Sequence, residues 1–438
     1  MKKFVVFILM VTALVGCSGE KDTSERAVAK DEVKKLIIWG GVPAENGPEA
    51  LVEDWNSKNP NVQVEYVRFT NDETGNTKLD TAILSGEQID MYFTYSNDRM
   101  TLRAEGGMSE PLTQYGADEF IKENIVGGGE GQVYINGELH GLPTAREIDF
   151  MMVNKDRLDE KSVKISNDWD AKEFYEVSKA LSGEENGKVI YGTHGYYGGG
   201  PFSFANAVLG GDVYYKDGGE ESNFDAPEFK YNTLVKEIMD NGYSMSFEDI
   251  YSRGFDMYCH PAFLNEEVST MSASSWMIRY VRDLENYPHD FITSFRKLPT
   301  TEKGIENNYQ ARLNNHLSMS SNSNYKKESW EFIKYWLTDG SLFMLKGGKV
   351  PVWNEVNEDA VVSGVLGENP EKLFDVESFK EVMFNPNLQY IVDTYTKGLP
   401  QIAQIYKEES ELYFLGDTTD EDYYNNLKTR SDEAIQVN

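Results

Sequence analysis

Residues 34–67 constrain the fold most, because they show the pattern of a strand, a helix and a second strand in immediate succession. Residues 36–38 form a short apolar run, typical of a strand buried on both faces. Pro48 suits the first turn of a helix, and apolar residues at helical spacing follow it. Residues 62–66 alternate between apolar and polar, as in a strand with one buried face. We therefore predict an α/β fold with a ligand site beyond the carboxyl end of the first strand, at residues 39–45.

The N-terminus has the pattern of a bacterial secretion signal. Two lysines precede an apolar run at residues 4–15, which is too short to span a bilayer as a stable helix. Small residues close this run just before Cys17, as in a lipobox, so we expect residues 1–16 to be a signal peptide and Cys17 to be lipidated. Residues 17–33 are mostly polar and predict a flexible tether. The expected location is the extracytoplasmic face of the cell membrane, with an uncleaved membrane anchor as the alternative.

The composition excludes some partners and favours others. The 73 acidic residues outnumber the 42 basic ones, and the formal net charge of −31 repels nucleic acid at long range. The chain also has 26 Tyr, 22 Phe and 7 Trp. Aromatic rings beside carboxylates suit sugars, although many of these rings will belong to the core. The five histidines show no metal-binding spacing, and we predict neither a metal nor a cofactor.

The order of several segments resembles the extracellular solute-binding proteins of bacterial ABC importers, in the carbohydrate-binding cluster that includes the maltose-binding protein. These segments are the lipobox, IIWGG, WNSKNPNVQVEY, SGEQIDMYFTYSNDRM, GELHGLP, FMMVNKDRL, SSWMIRYV, WEFIKYWLTD and GGKVPV. The resemblance implies a two-lobed, periplasmic-binding-protein-like α/β fold of type II, with a ligand cleft at a hinge that the chain crosses several times. Residues 34–146 and 300–346 would form lobe 1, and residues 147–299 and 347–438 would form lobe 2. We expect residues 291–299 to be one of the strands that cross between the lobes.

The same resemblance implies ligand contacts in three loops. Glu45 corresponds to the first polar contact, in the loop after the opening strand. Tyr95, Asp98 and Arg99 resemble an aromatic residue followed by an Asp-Arg pair. Glu147 matches a carboxylate that accepts hydrogen bonds from sugar hydroxyls.

Three aromatic residues complete the predicted site. Phe202 lies in Gly-Pro-Phe where the family has a carboxylate, Pro and Tyr, so the ring is retained but the carboxylate is lost. Trp276 aligns with an aromatic residue that would form the floor beneath a pyranose ring, and Trp353 follows a Gly-Pro turn and offers a further ring. A uronic acid ligand also stays open, through Arg99, Arg146 and Arg279.

The resemblance predicts a monomeric, non-catalytic sugar-binding lipoprotein that delivers its ligand to the transmembrane subunits of a permease. Two alternatives stay open. A secreted glycoside hydrolase would need a carboxylate pair, and 73 acidic residues guarantee many chance pairs. A sugar-sensing subunit of a membrane kinase would bind the same ligand in the same cleft.

Overall fold

The computed structural model describes residues 33–129, 131–194, 203–255, 258–305, 310–391 and 393–437. The strands are β1 (Lys34–Gly40), β2 (Val62–Arg68), β3 (Met91–Thr94), β4 (Leu142–Asn154), β5 (Gly183–Glu185), β6 (Lys188–His194), β7 (Val268–Ser274), β8 (Thr293–Arg296), β9 (Gln310–Met319), β10 (Val350–Pro351) and β11 (Gln389–Ile391).

The helices surround these strands. The α-helices are α1 (Pro48–Lys58), α2 (Glu73–Leu84), α3 (Asn97–Glu105), α4 (Ala117–Asn124), α5 (Lys155–Lys161), α6 (Ala171–Leu181), α7 (Phe204–Leu209), α8 (Asn232–Asp240), α9 (Phe247–Ser252), α10 (His260–Leu264), α11 (Ile278–Val281), α12 (Lys326–Leu337), α13 (Glu358–Leu366), α14 (Val376–Met383), α15 (Leu399–Leu415) and α16 (Asp420–Val437). Short 3-10 helices lie at Ala44–Asn46, Thr113–Tyr115, Val126–Gly129, Pro227–Tyr231, Ser275–Met277, Asp339–Gly347 and Pro370–Lys372. None of the helices in the described ranges is both long and apolar enough to cross a membrane.

The opening strand, helix and strand are β1, α1 and β2, so this local prediction is confirmed. β1 pairs in parallel with β2 on one side and with β3 on the other. The full strand order is β2-β1-β3-β9-β4-β7-β6-β5, while β8 and β10 pair with β4 and β11 pairs with β9. Both strands and helices are abundant, which confirms the predicted α/β class.

The long strand β4 connects two parts of the sheet. Its residues 142–148 pair with β9, and its residues 149–154 pair with β7 and β8. We call β1, β2, β3, β9, β10, β11 and residues 142–148 the first half-sheet, and β5–β8 with residues 149–154 the second half-sheet. The prediction that residues 291–299 cross between the lobes is wrong: they contain β8, which pairs with the second part of β4 and bridges Phe374, and among the described residues it pairs with no strand of the first half-sheet. β9 supplies a crossing instead, because Ala311 near its start and Leu313 two residues later belong to two different hydrophobic cores.

Each half-sheet has its own main hydrophobic core. The first core draws its buried residues from 36–142 and 313–352. The second draws them from 148–311 and 345–435. These ranges support the predicted lobe boundaries, which stay a prediction. Thr300 is an exception, because it was assigned to lobe 1 but forms a strand bridge with Asp170, beside the second core.

Candidate functional site

A cavity of about 370 Å³ lies where the two half-sheets meet. Gly41 follows β1, Tyr95 follows β3 and Trp276 follows β7, and all three residues line the cavity. The carboxyl ends of these strands therefore open into one space, as expected for an α/β fold. The aromatic residues of its wall are Tyr95, Tyr214, Tyr215, Tyr258, Trp276 and Tyr395. The charged residues of its wall are Asp98, Glu147, Asp149, Asp212, Asp393, Arg279, Arg312 and Lys349.

Gly40 and Gly41, at the end of β1, make room for two tyrosines. The backbone N–H of Gly41 donates to the Tyr95 hydroxyl at 2.6 Å. A Cβ atom at Gly41 would lie only 3.0 Å from the Tyr95 ring, and one at Gly40 would lie 2.6 Å from the Tyr66 hydroxyl. The loop after β1 therefore contributes to the site by leaving space for the Tyr95 ring to pack against its backbone.

A partly shielded ion pair lies at the point where β4 crosses between the half-sheets. Lys349 Nζ is 3.0 Å from Glu147 Oε1, and the two side chains are only 10% and 14% exposed. Asn314 Nδ2 donates to Glu147 Oε2 at 2.9 Å, and Asn315 Nδ2 donates to Oε1 at 2.6 Å. Burial alone would raise the pKa of Glu147, but Lys349 and the two amides outweigh it and lower the pKa. Glu147 is thus held as a carboxylate with its acceptor capacity largely used.

The glycine directly before Lys349 allows the lysine to reach this position. Gly348 has a φ of 73°, a left-handed conformation that glycine adopts readily. A Cβ atom there would lie 2.5 Å from the carbonyl oxygen of Ser275, so only glycine allows this close approach of two backbones. As a result the Lys349 ammonium lies 5.9 Å from the ring centres of both Tyr95 and Trp276.

Trp276 lies among other aromatic rings and a guanidinium group. Its ring meets Tyr258 edge to face, with 5.9 Å between the ring centres. The guanidinium carbon of Arg279 is 5.3 Å from the Trp276 ring and 4.6 Å from the Tyr280 ring. Trp276 is only partly buried, so part of it remains accessible from the cavity.

Asp149 is the first residue of β4 that pairs with β7, and it lies two residues after Glu147. Its carboxylate accepts a hydrogen bond from Ser274 Oγ. Burial raises the pKa of Asp149 to about 6, against the opposing effects of Arg312 and Ser274. Asp149 and Glu147 therefore differ in proton affinity, because only Glu147 has an ammonium within hydrogen-bonding distance.

Polar contacts bridge the cavity at two places. Asn97 Nδ2, at the start of α3, donates to Asp393 Oδ2 at 3.1 Å. The other Asp393 oxygen accepts from the backbone N–H of Asp212 at 2.9 Å. The Tyr258 hydroxyl donates to the carbonyl oxygen of Asn71 at 3.1 Å. Each bridge joins a segment near the first half-sheet to one near the second core, so the two parts of the molecule are drawn together around the cavity.

Four of the predicted ligand-binding residues line the cavity: Tyr95, Asp98, Glu147 and Trp276. Three others lie outside its lining. Glu45 is exposed in a 3-10 helix, Arg99 pairs with Glu73, and Trp353 forms a strand bridge with Ile125. Phe202 lies outside the described residues. Ligand contact by any of these residues stays a prediction.

The three arginines considered for a uronic acid do not converge. Arg146 Nε donates to the carbonyl oxygen of Pro351 at 2.9 Å, and Arg99 is within 3.9 Å of Asp80 as well as bonded to Glu73. Only Arg279 lines the cavity. Sequence reasoning missed Lys349 as a site residue; its signal was the glycine pair that precedes it in GGKVPV.

The fold and the cavity define a class: two-part α/β proteins that enclose a ligand at the junction of their sheets. The chain belongs to the family of bacterial extracellular solute-binding proteins, and the sequence model of this family matches residues 43–341.

Solved structures agree with this assignment. An ABC substrate-binding protein from Listeria monocytogenes, in complex with cycloalternan, has a TM-score of 0.73 and 17% identity over 93% of this chain and 99% of its own. A solute-binding protein from Thermotoga lettingae, bound with α-D-tagatose, has a TM-score of 0.68 and 17% identity over 92% and 100%. The galacto-N-biose/lacto-N-biose I-binding protein from Bifidobacterium longum has a TM-score of 0.69 and 18% identity over 92% and 98%. These similarities confirm the predicted two-lobed, periplasmic-binding-protein-like fold.

Proposed function

We propose that this chain binds a mono- or oligosaccharide in the cavity and delivers it to the transmembrane subunits of an ABC importer. The observation that carries the proposal is the wall itself, where aromatic rings such as Tyr95, Tyr258 and Trp276 lie beside charged hydrogen-bonding groups. The C–H face of a sugar packs on a ring while its hydroxyls seek charged partners. The similar proteins from Listeria, Thermotoga and Bifidobacterium are described with carbohydrate ligands, which supports the same class here.

Ligand binding would favour the closed arrangement of the two lobes. A ligand biases such an equilibrium only if it binds one arrangement better than the other. The cavity offers this difference, because Tyr95 packs against the first core and Trp276 packs against the second. A saccharide that contacts both rings would be bound fully only in the closed state. We take the lobes to be residues 34–146 with 300–346, and residues 147–299 with 347–438.

The membrane location is also a proposal. Residues 1–16 would be removed as a signal peptide, and lipid on Cys17 would hold the protein at the extracytoplasmic face through the tether at 17–33. The family description as extracellular supports export. Replacing Cys17 by serine should abolish the incorporation of labelled fatty acid into the protein, whereas unchanged labelling would contradict the lipid anchor.

A thermal-shift screen tests carbohydrate binding. The purified protein is heated with a panel of mono- and oligosaccharides, and calorimetry follows for each one that raises the melting temperature. A saccharide that binds only the folded state should raise Tm, and no shift across the whole panel would contradict the proposal. Reducing ends released from the tightest ligand would favour the glycoside hydrolase instead. Loss of labelled-sugar uptake in a deletion strain would distinguish an importer from a kinase-linked sensor.

A further inference from the structure

Most ionisable side chains of the cavity wall have hydrogen-bond partners within the protein. Glu147 and Lys349 form an ion pair at 3.0 Å. The Asp212 carboxylate accepts hydrogen bonds from the backbone N–H groups of Thr394 and Tyr395, at 2.6 and 2.8 Å. The hydrogen-bonding capacity of such groups is therefore committed, at least in part, before any ligand enters.

Three ionisable residues of the wall lack partners of this kind. In the described part of the chain, the side chains of Asp98, Tyr214 and Arg312 make no hydrogen bond and no ion pair. Arg312 opposes the rise in the pKa of Asp149, which burial causes, but the two side chains do not form an ion pair. Because shielded polar groups in folded proteins are nearly always hydrogen-bonded, water must serve these three in the empty cavity and a ligand can replace it.

The three side chains converge, although they come from distant parts of the sequence. Asp98 lies in the first turn of α3, Tyr214 follows α7, and Arg312 lies near the start of β9. Burial raises the pKa of the Tyr214 hydroxyl, Arg312 opposes this rise and Asp98 adds to it, so both charges lie within electrostatic range of that hydroxyl. A carboxylate, a hydroxyl and a guanidinium group thus face the same part of the cavity.

We propose that Asp98, Tyr214 and Arg312 form a polar subsite that binds two neighbouring hydroxyl groups of a saccharide, and that Arg312 determines which hydroxyls are recognised. The inference rests on the proposed carbohydrate function and adds the groups that select the ligand. The planar guanidinium group donates to two adjacent oxygens at once, whereas the Asp98 carboxylate accepts the hydroxyl protons. A sugar edge with vicinal hydroxyls satisfies both, because each hydroxyl is a donor and an acceptor.

The subsite also includes residues from both parts of the molecule. Asp98 follows β3 of the first half-sheet, whereas Tyr214 packs against the second core. Arg312 lies on β9, opposite Glu147 of β4. A saccharide that contacts all three side chains therefore binds more strongly to the closed arrangement than to an open one.

Monodeoxy sugars test the subsite by calorimetry. The probes are glucose, galactose, mannose, xylose, maltose, cellobiose and lactose, followed by the monodeoxy analogues of each probe that binds. We expect at least one analogue to bind about ten- to a hundredfold more weakly than its parent sugar, because it lacks a hydroxyl that bonds to a charged group. Arg312→Met should bind that parent and that analogue equally. Arg253→Met is the matched control, because it removes the same group at an exposed position after α9, outside the cavity lining, and should leave both affinities unchanged.

The ligand-free melting temperature separates binding from a structural role. Replacing any of the three side chains removes no hydrogen bond within the described protein, so Arg312→Met, Asp98→Asn and Tyr214→Phe should each change Tm little. Affinity for the parent sugar should nevertheless fall about tenfold or more in the Arg312 and Asp98 variants, and about threefold or more in the Tyr214 variant.

The possible outcomes distinguish this inference from the proposed function. If folded Arg312→Met keeps the preference for the parent sugar, the role of Arg312 is overturned, while saccharide binding still supports the proposed function. If that variant does not fold, Tyr214→Phe decides, since an unchanged affinity there overturns the subsite. Failure of every probe to bind overturns the proposed function and this inference together.

Discussion

Replacing Lys349 by methionine should destabilise the folded protein by about 3 kcal/mol at neutral pH. Removing one partner of a buried ion pair typically costs about 3–5 kcal/mol, because the other charge is left uncompensated. Glu147 would keep its hydrogen bonds from Asn314 and Asn315, so we expect the lower end of that range. Methionine retains most of the lysine side-chain length, which keeps the loss of packing small.

The loss should also depend on pH. In the natural protein the lowered pKa of Glu147 stabilises the fold above its unfolded pKa, and this contribution disappears as the pH falls through the folded value. Without Lys349, burial dominates and raises the pKa of Glu147, so the variant favours the protonated acid. The stability curves of the two proteins should therefore converge as the pH falls from neutral toward the unfolded pKa of a glutamate, about 4.3.

Urea denaturation followed by tryptophan fluorescence measures both effects. Lys397→Met is the matched control, because Lys397 Nζ is also 3.0 Å from its partner, Glu220, but these side chains are 38% and 77% exposed. An exposed pair contributes at most about 1 kcal/mol, so this variant should lose little stability at any pH. Equal losses in the two lysine variants, or a loss at Lys349 that does not shrink at lower pH, would refute the reasoning.

Three further substitutions have distinct expected results. Trp276→Ala should weaken saccharide binding by about 1–3 kcal/mol with little change in fold, and unaltered affinity by calorimetry would contradict its role as a platform. Tyr95→Phe should cost about 1–2 kcal/mol in urea denaturation, because it leaves the Gly41 N–H without its acceptor; a neutral effect would mean that water replaces the hydroxyl. The pKa of Asp149, raised to about 6, means that its ionisation destabilises the fold as the pH rises. Asp149→Asn should therefore remove the loss of stability that accompanies a rise in pH from about 4, the unfolded pKa of an aspartate, to about 6, and an unchanged slope would exclude this group.

Local patterns predicted the opening of the fold well. β1, α1 and β2 follow from apolar periodicity and from Pro48, all of which lie within one short stretch. The crossing strands were harder to identify. β9 carries polar residues within the sheet, such as Asn314 and Asn315, and their side chains donate hydrogen bonds to Glu147. The pattern of apolar and polar residues along the strand does not reveal these contacts.

The site was predictable only where a single loop supplies the signal. Tyr95 directly follows β3 and Trp276 comes two residues after β7, and both aromatic residues line the cavity. Lys349 lies 202 residues from Glu147, and Asn97 lies 296 residues from Asp393. No local pattern links such distant positions, since their meeting depends on the order of strands in the sheet. Glu45 shows the opposite case, a polar residue in the expected loop that points to solvent.

The position of β9 in the sheet affects when the chain can fold during its synthesis. This strand lies between β3 and β4, yet Asn315 follows its contact Thr144 by 171 residues. During synthesis the first half-sheet therefore lacks its central strand until the whole segment between them has left the ribosome. At about 5–20 residues per second, that interval is roughly 10–30 seconds, and closing so long a loop adds a further entropic delay. The first half-sheet cannot be completed over this period, which leaves the nascent chain in a state that a secretion channel could thread during the proposed export.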